Sequence, residues 1–465
     1  MNSSNKMTAN ERRAVISLSS IMGLRMIGLF MVLPVFSLYA MKLHGATPTL
    51  IGLAMGIYGL SQALFQIPFG ALSDRFGRKP IILIGLILFA TGSVIAGIAH
   101  SITFMIIGRA LQGIGAVGST MMAFIADLTR EDQRTKAMAI TGITIGFSFS
   151  MAMFIGPVLT EWLSVNHLFF LAALLGVIGI IILYAYVPRS THHHFQRDAE
   201  PELKSLIKLL TSTELAKLNI GIFILHAIFT ASFIIIPIHL HQFESLANHR
   251  EWQLYLPTLL LAFIACLFCI GMAERKQQIK PYFLAGILAL LLSLLLLLTA
   301  KSSLLLTAIA ICIFFAGFSL LEAFLPSLVS RAAPASRKGS AMGVYSSSQF
   351  LGIFAGGVLG GWIYGQFGFS GVYLFCIALT LFWLALALFM QPPRYLVTQT
   401  WRIHPEKQST TDTLFADLHV IPGMVEVTLI AEEGLAYLKM EKKTLQHPDF
   451  IRLKEQLQSK SFHII

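Results

Sequence analysis

The feature that most constrains this chain is a series of apolar runs along residues 14–391, each long enough to cross about 30 Å of hydrocarbon. Twelve spans are predicted, over residues 15–40, 48–71, 80–99, 102–126, 136–160, 166–188, 217–241, 253–274, 280–300, 302–328, 340–364 and 369–391. A bilayer offers no water to unpaired backbone groups, so runs of this length are helices. The first is about 25 residues long and no small-residue cleavage site follows it, so it reads as a retained span and not a signal peptide. The expected fold class is an all-α membrane protein of twelve transmembrane helices, with a small α+β domain after them.

Charge supports this division. Only 12% of the 465 residues are Asp, Glu, Lys or Arg, about half the ~25% usual in soluble domains. Residues 1–400 hold 26 basic and 14 acidic side chains, whereas residues 401–465 hold 8 and 9. The tail therefore has the charge density of a soluble domain and the rest does not. The four cysteines, Cys266, Cys269, Cys312 and Cys376, all lie in apolar runs, where packing explains them better than a disulfide framework or a redox pair. His192-His193-His194 reads as a solvated polar run. No metal set, cofactor motif, nucleophile–base constellation or nucleic-acid motif is apparent, so metal, cofactor, enzymatic activity and nucleic-acid partners are not expected.

Basic residues in the connections set orientation. Twenty fall on one side of the predicted spans, against Lys42, Arg250 and Lys301 on the other, which predicts that both termini are cytoplasmic. An internal repeat accompanies this pattern. Leu128-Thr129-Arg130 and Lys136-Ala137-Met138 are echoed about 200 residues later by Val329-Ser330-Arg331 and Ser340-Ala341-Met342, and Lys79-Pro80 by Lys280-Pro281. Two parallel six-span halves are a mark of secondary transporters. The predicted organisation is a first bundle over 1–188, a cytoplasmic linker over 189–216, a second bundle over 217–392 and a cytoplasmic domain over 400–465.

The most informative stretch is Gly70-Ala71-Leu72-Ser73-Asp74-Arg75-Phe76-Gly77-Arg78-Lys79-Pro80, between spans 2 and 3. Gly70 permits close helix approach, Gly77 suits a tight turn and Pro80 a helix start. Asp74 ends a helix whose dipole disfavours an anion. The positive N-terminus of span 11, near Ser340, begins on the same side and is its predicted partner, a latch closed when that side is closed. Asp127 ends span 4 with the same conflict, and Arg78 is its predicted partner.

This stretch resembles motif A of the major facilitator superfamily, almost residue for residue. Arg109-Ala110-Leu111-Gln112-Gly113 in span 4 resembles the family's motif B, and Gly156-Pro157 in span 5 the core of its antiporter motif C. There, Thr160-Glu161 stands where a glycine pair is expected and Ala152 at a usual glycine. The resemblance covers nearly the whole chain. It implies the major facilitator fold of two six-helix bundles, alternating access, and a proton-coupled, drug/proton antiporter-like activity on a small-molecule substrate. It also implies a switch role for Gly70, Asp74, Arg75, Gly77, Arg78, Lys79 and Asp127, and a bacterial inner-membrane location among lipid.

Four ionisable residues lie inside predicted spans: Arg25, Arg109, His226 and Glu322. Buried charges are costly in a membrane, so each is a functional candidate. They fall on spans 1, 4, 7 and 10, which the resemblance places around the central cavity. Arginine does not release its proton, whereas a carboxyl can. Glu322 is therefore the candidate proton site, Arg25 or Arg109 its candidate sensor, and His226 better explained by packing. The family's drug/proton antiporters often carry an acid in span 1, where this chain has Arg25.

The tail reads as βαββαβ: a strand over Trp401–His404, a helix over Thr410–His419, strands over Val425–Ile430 and Ala436–Met440, a helix over 448–458 and a strand over Phe462–Ile465. This order resembles ferredoxin-like heavy-metal-associated domains. Their metal-binding cysteine pair is missing, which leaves regulation, ligand binding or self-association as roles. Three functions remain open at this point: a proton-coupled exporter, a symporter or uniporter on the same fold, and a membrane sensor signalling through its tail.

Overall fold

The computed structural model describes residues 7–188, 213–243, 251–300, 303–334 and 338–391, and parts of the tail between 396 and 464. Most of the predicted linker over 189–216, with its three histidines, and the helix predicted over Thr410–His419 lie outside the described residues.

Thirteen helices precede the tail among the described residues: α1 Ala9–Phe30, α2 Leu33–Ala40, α3 Pro48–Phe76, α4 Arg78–Gly97, α5 Ile102–Ile114, α6 Gly118–Asp127, α7 Glu131–Leu159, α8 Val165–Ala185, α9 Thr213–His241, α10 Trp252–Lys276, α11 Ile279–Thr299, α12 Leu304–Ala332 and α13 Lys338–Leu388. Eleven helical segments among them are long and apolar enough to cross a membrane. The last, at 50 residues, is two spans in one. It turns at Gly368, whose φ of 64° and ψ of −159° suit glycine alone. The predicted spans 11 and 12 are thus continuous in sequence and separated by a single-residue corner.

Local chemistry sets the starts. Thr8 accepts from the Glu11 backbone while Glu11 reaches back to Thr8, a reciprocal capping box that begins the first helix at Ala9, earlier than the predicted residue 15. Thr47 caps α3, which has Pro48 in its first turn. Ser101 and Ser303 cap α5 and α12. Two predicted spans are interrupted. The first breaks between Phe30 and Leu33, where Pro34 has no N–H to continue the ladder. The fourth breaks between Ile114 and Gly118, beside the motif B sequence.

Packing divides the helices into two groups. α1 to α8 contact chiefly one another, α9 to α13 likewise, and the main seam between the groups is α3 against α13. In that seam, Gly52 sits so close to Gly357 that a Cβ there would lie 2.1 Å from its carbonyl oxygen, and Gly361 meets Pro48 and Gly52 in the same way. Gly352, Gly356 and Gly360, on the other side of α13, pack instead on Phe223, Ala227 and Ala231 of α9. The glycine-rich helix is therefore two-faced, with one face between the bundles and one inside the second.

In the tail, strands β1 Leu396–Arg402, β2 Met424–Ile430, β3 Leu435–Glu441 and β4 His463–Ile464 form an antiparallel sheet in the order β2-β3-β1-β4. The first strand begins five residues before the predicted one, because Leu396 to Trp401 pair with β3. Leu438 and Met440, alternate residues of β3, are buried, as are Ile421 and Phe450.

Candidate functional site

The motif A residues gather at the end of the bundle that carries most of the basic side chains, here called the basic end. Gly77 separates α3 from α4 with φ 93°. The turn brings Arg78 back over the end of α3, where it pairs with Asp74 and donates to Ser73 Oγ at 2.7 Å. Its Nε also donates to Asp127 Oδ2 at 2.9 Å, so one guanidinium joins the two acids that end α3 and α6. Both acids are more than two-fifths exposed, so each pair is worth roughly 0.2–1 kcal/mol. Ser73 in turn donates to the Gly70 carbonyl. Arg75 lies over the Phe76 ring, outside this network. Lys79 donates to the Val187 carbonyl at 2.7 Å, satisfying the chain just beyond the end of α8.

Asp74 differs from expectation. Among the described residues it makes no bond to the first turn of α13, and its side chain is 44% exposed. The reason lies in how the bundles meet. At the end opposite the basic one they are sealed: Gly52 against Gly357, Gly56 against Phe354, Ser37 Oγ donating to the Phe233 carbonyl at 3.2 Å, and Trp252 Nε1 donating to Glu161 Oε1 at 2.5 Å. Toward the basic end the same helices face open space. A Cβ on Gly339 or Gly343 of α13, Gly142 or Gly146 of α7, or Gly271 of α10 would meet nothing within 4 Å. The seam is therefore closed at the end opposite the basic one and loosely packed toward the basic end, where the predicted latch partners are not joined among the described residues.

The two intramembrane arginines share one neighbourhood. Arg25, 3% exposed, donates to Tyr58 Oη at 3.2 Å and Gln62 Oε1 at 3.0 Å, and lies over the Phe89 ring. Arg109, 5% exposed, donates to Gln112 Oε1 at 2.9 Å and the Ala54 carbonyl at 3.4 Å, and lies over the rings of Tyr58 and Phe36. Gln112 passes the chain on to Ser93 Oγ at 2.7 Å. Every one of these partners is neutral.

Glu322 and His226 form a separate centre in the second bundle. Gln349 Nε2 donates to Glu322 Oε1 at 3.1 Å and lies 2.9 Å from His226 Nε2, while Glu322 Oε2 is 3.8 Å from the same ring nitrogen. The Glu322 side chain is 38% exposed overall, yet its Oε2 is buried and without a hydrogen-bond partner in the middle of the helix bundle. Between this centre and the arginines stand aromatic rings. Phe229 stacks on Phe318 and touches His226, and Phe149 packs on both phenylalanines. The structure therefore does not bring either arginine into contact with Glu322.

Gly156 has a packing reason to be glycine. A Cβ there would lie 1.8 Å from the Met31 carbonyl oxygen, at the break in the first span, and Pro157 follows it inside α7. Several functional side chains escape sequence reasoning: Tyr58, Gln62 and Gln112 as partners of the arginines, and Gln349 as the link between His226 and Glu322. Glutamine inside an apolar span is the signal that could have found three of them. Glu11, buried at the start of α1, accepts from Arg130 Nε at 2.9 Å and was equally hidden among the connection residues.

Eleven long apolar helical segments among the described residues, the last turning at Gly368, with buried polar centres between them, make a multi-pass membrane protein. The sequence matches the Major Facilitator Superfamily over residues 18–357 and 279–412, and the chain belongs to that family. It is 43% identical over 438 residues to the inner membrane transport protein YajR of Escherichia coli (strain K12), a match covering 94% of this chain and 96% of YajR. Multidrug resistance protein 3 of Bacillus subtilis is 31% identical over 36% of each chain. Among solved structures, the nucleoside transporter NupG superimposes with a TM-score of 0.65 at 14% identity, covering 81% of this chain and 99% of that one. The xylose transporter XylE of E. coli in its inward open conformation gives 0.64 at 14% identity, covering 82% and 96%. These two likenesses establish the fold.

Proposed function

We propose that this chain exports a small molecule in exchange for protons, by alternating access, from a bacterial inner membrane in which both termini are cytoplasmic. The observation that carries the reading is Glu322, a carboxyl in the middle of the bundle, held by Gln349 beside His226 with its second oxygen buried and unpaired. Ionised, it accepts from Gln349. Protonated, it is a neutral acid whose second oxygen can donate to His226 Nε2 after a short movement. Proton binding thus changes the charge of one wall of the cavity without moving a helix. The excess of basic residues at the loosely packed end supports a cytoplasmic reading of that end, and the arrangement is then the loading state of an exporter.

Closure of that end brings Asp74 to the N-terminus of α13, whose positive dipole end relieves the acid's conflict with its own helix. Arg78 meanwhile keeps Asp74 and Asp127 together in the open state. The chain is read as a first bundle over 1–188, a second over 217–392 and a domain over 400–465, with the second bundle's first helix beginning at Thr213 and the domain's first strand at Leu396. The tail, by its strand order of β2-β3-β1-β4, is a ferredoxin-like domain serving regulation, ligand binding or self-association.

The test begins with a thermal-stability screen of the purified protein to find a ligand, which is then followed in proteoliposomes. A pH gradient is expected to accelerate its uphill movement. Glu322→Gln is expected to abolish that acceleration while sparing binding. Unchanged proton-driven transport in the variant overturns the assignment, and binding without flux points to a sensor.

A further inference from the structure

The arginine centre carries an unbalanced charge. Arg25 and Arg109 are both nearly fully buried, both lean on Tyr58, and their hydrogen-bond partners, Tyr58, Gln62, Gln112 and the Ala54 carbonyl, are all neutral. Among the described residues, no carboxylate lies within 4 Å of either guanidinium, and Arg25 Nε is buried with no hydrogen-bond partner at all. A buried carboxyl or lysine can shed an unpaired charge by changing protonation, but arginine cannot. Two permanent positive charges in a low-dielectric bundle therefore lack the counter-charge that burial ordinarily demands. The nearest acid of the central region, Glu322, is engaged by Gln349 on the far side of Phe229 and Phe318.

The centre adjoins a small recess. Arg109 and Tyr58 line a recess between the two bundles whose other walls include Phe30, Phe229, Thr230 and Ile353. Arg109 is the one charged residue on a lining that is otherwise mostly aromatic and aliphatic, and the recess is small, so a ligand larger than a water widens it on binding. Such a site suits a ligand with an acidic group at one end and an apolar or aromatic body at the other.

We infer that the substrate of this cavity is an organic anion with an aromatic or apolar body, its acidic group completing the Arg25–Tyr58–Arg109 centre. This rests on the reading of the cavity as the transport path, and it assigns the arginines to the substrate and Glu322 to the proton. Keeping the two apart behind the Phe229–Phe318 wall prevents an ion pair that would satisfy both and bind neither.

The test uses purified full-length protein in detergent, with no gradient, and four naphthalene probes of similar body: naphthoate, naphthalenesulfonate, naphthylmethylamine and naphthylmethanol. Binding by calorimetry is expected for at least one anion, at an affinity roughly 10-fold or more above the amine and the alcohol, the scale of a charge-assisted hydrogen bond. Arg109→Gln is expected to weaken anion binding roughly 10- to 100-fold, with Arg109→Lys retaining part of it. The comparison of probes on the unmodified protein needs no variant to fold. Equal or tighter binding of the amine or the alcohol, binding by neither anion, or anion binding indifferent to both Arg25→Gln and Arg109→Gln overturns the inference. Arginine-dependent anion binding without any effect of a pH gradient on flux removes the proton-coupled reading and leaves this one standing. Proton-driven transport of a cation does the reverse.

Discussion

The two bundles open their third and ninth spans with the same dipeptide, and they use it alike. Lys79 donates to the carbonyl of Val187 just beyond α8, and Lys280 to the carbonyls of Leu388 and Met390 at the end of α13. In each bundle a lysine near the start of one helix satisfies the carbonyls left over at the end of another. A left-handed residue precedes both, Gly77 in one and Gln277 in the other. What differs is the charge around the dipeptide. In the register of the repeat, Ile279 stands where the first bundle has Arg78, and Leu328 where it has Asp127. The capping lysine belongs to the fold and is kept twice. Among the described residues the Asp74–Arg78–Asp127 network has no counterpart at Ile279 and Leu328, so the shared fold does not require it.

The interior repeats that lesson with opposite signs. The first bundle holds two arginines among neutral partners, and the second holds Glu322 with His226 and Gln349. A fold built by duplication has placed its charge centres asymmetrically, and the rings of Phe149, Phe229 and Phe318 keep them separate.

The comparison can be broken at several points. The largest effect is expected at the seam. Gly52→Leu pushes a side chain into the Gly357 carbonyl and is expected to destabilise the sealed end by about 1–3 kcal/mol or more, which spin-label distances across that end would report as separation. Gly343→Leu, on the open stretch of the same partner helix, is expected to leave those distances unchanged. Next come the capping lysines. Lys280→Met and Lys79→Met are each expected to lower stability by about 1–2 kcal/mol, because each lysine donates to carbonyl groups at the end of another helix; calorimetric melting of both variants checks whether the roles are equivalent. The smallest effect is expected from the surface network. Asp127→Asn should cost under about 1 kcal/mol, and less as salt is raised. A loss of several kcal/mol from Asp127→Asn, measured in the same melts, would show that the network holds the fold itself and not only the switch.

The sequence by itself determined the apolar spans, the repeat and the position of the charged loop between α3 and α4. Apolar length, basic residues between spans and the Lys-Pro echo are local quantities, and a bilayer turns them into helices with few alternatives. It also singled out Arg25, Arg109, His226 and Glu322, because a charge inside an apolar run is visible without knowing its surroundings. Only the tertiary structure decided which groups meet. Whether Arg109 finds Glu322 or Gln112, and whether Gly357 faces α3 while Gly356 faces α9, depends on the rotation of each helix about its axis and on which end of the bundle is closed. Neighbouring residues on a helix point some 100° apart, so a one-residue difference in facing exchanges one partner for another. That geometry left two arginines with no acid beside them, which the list of charges alone could not show.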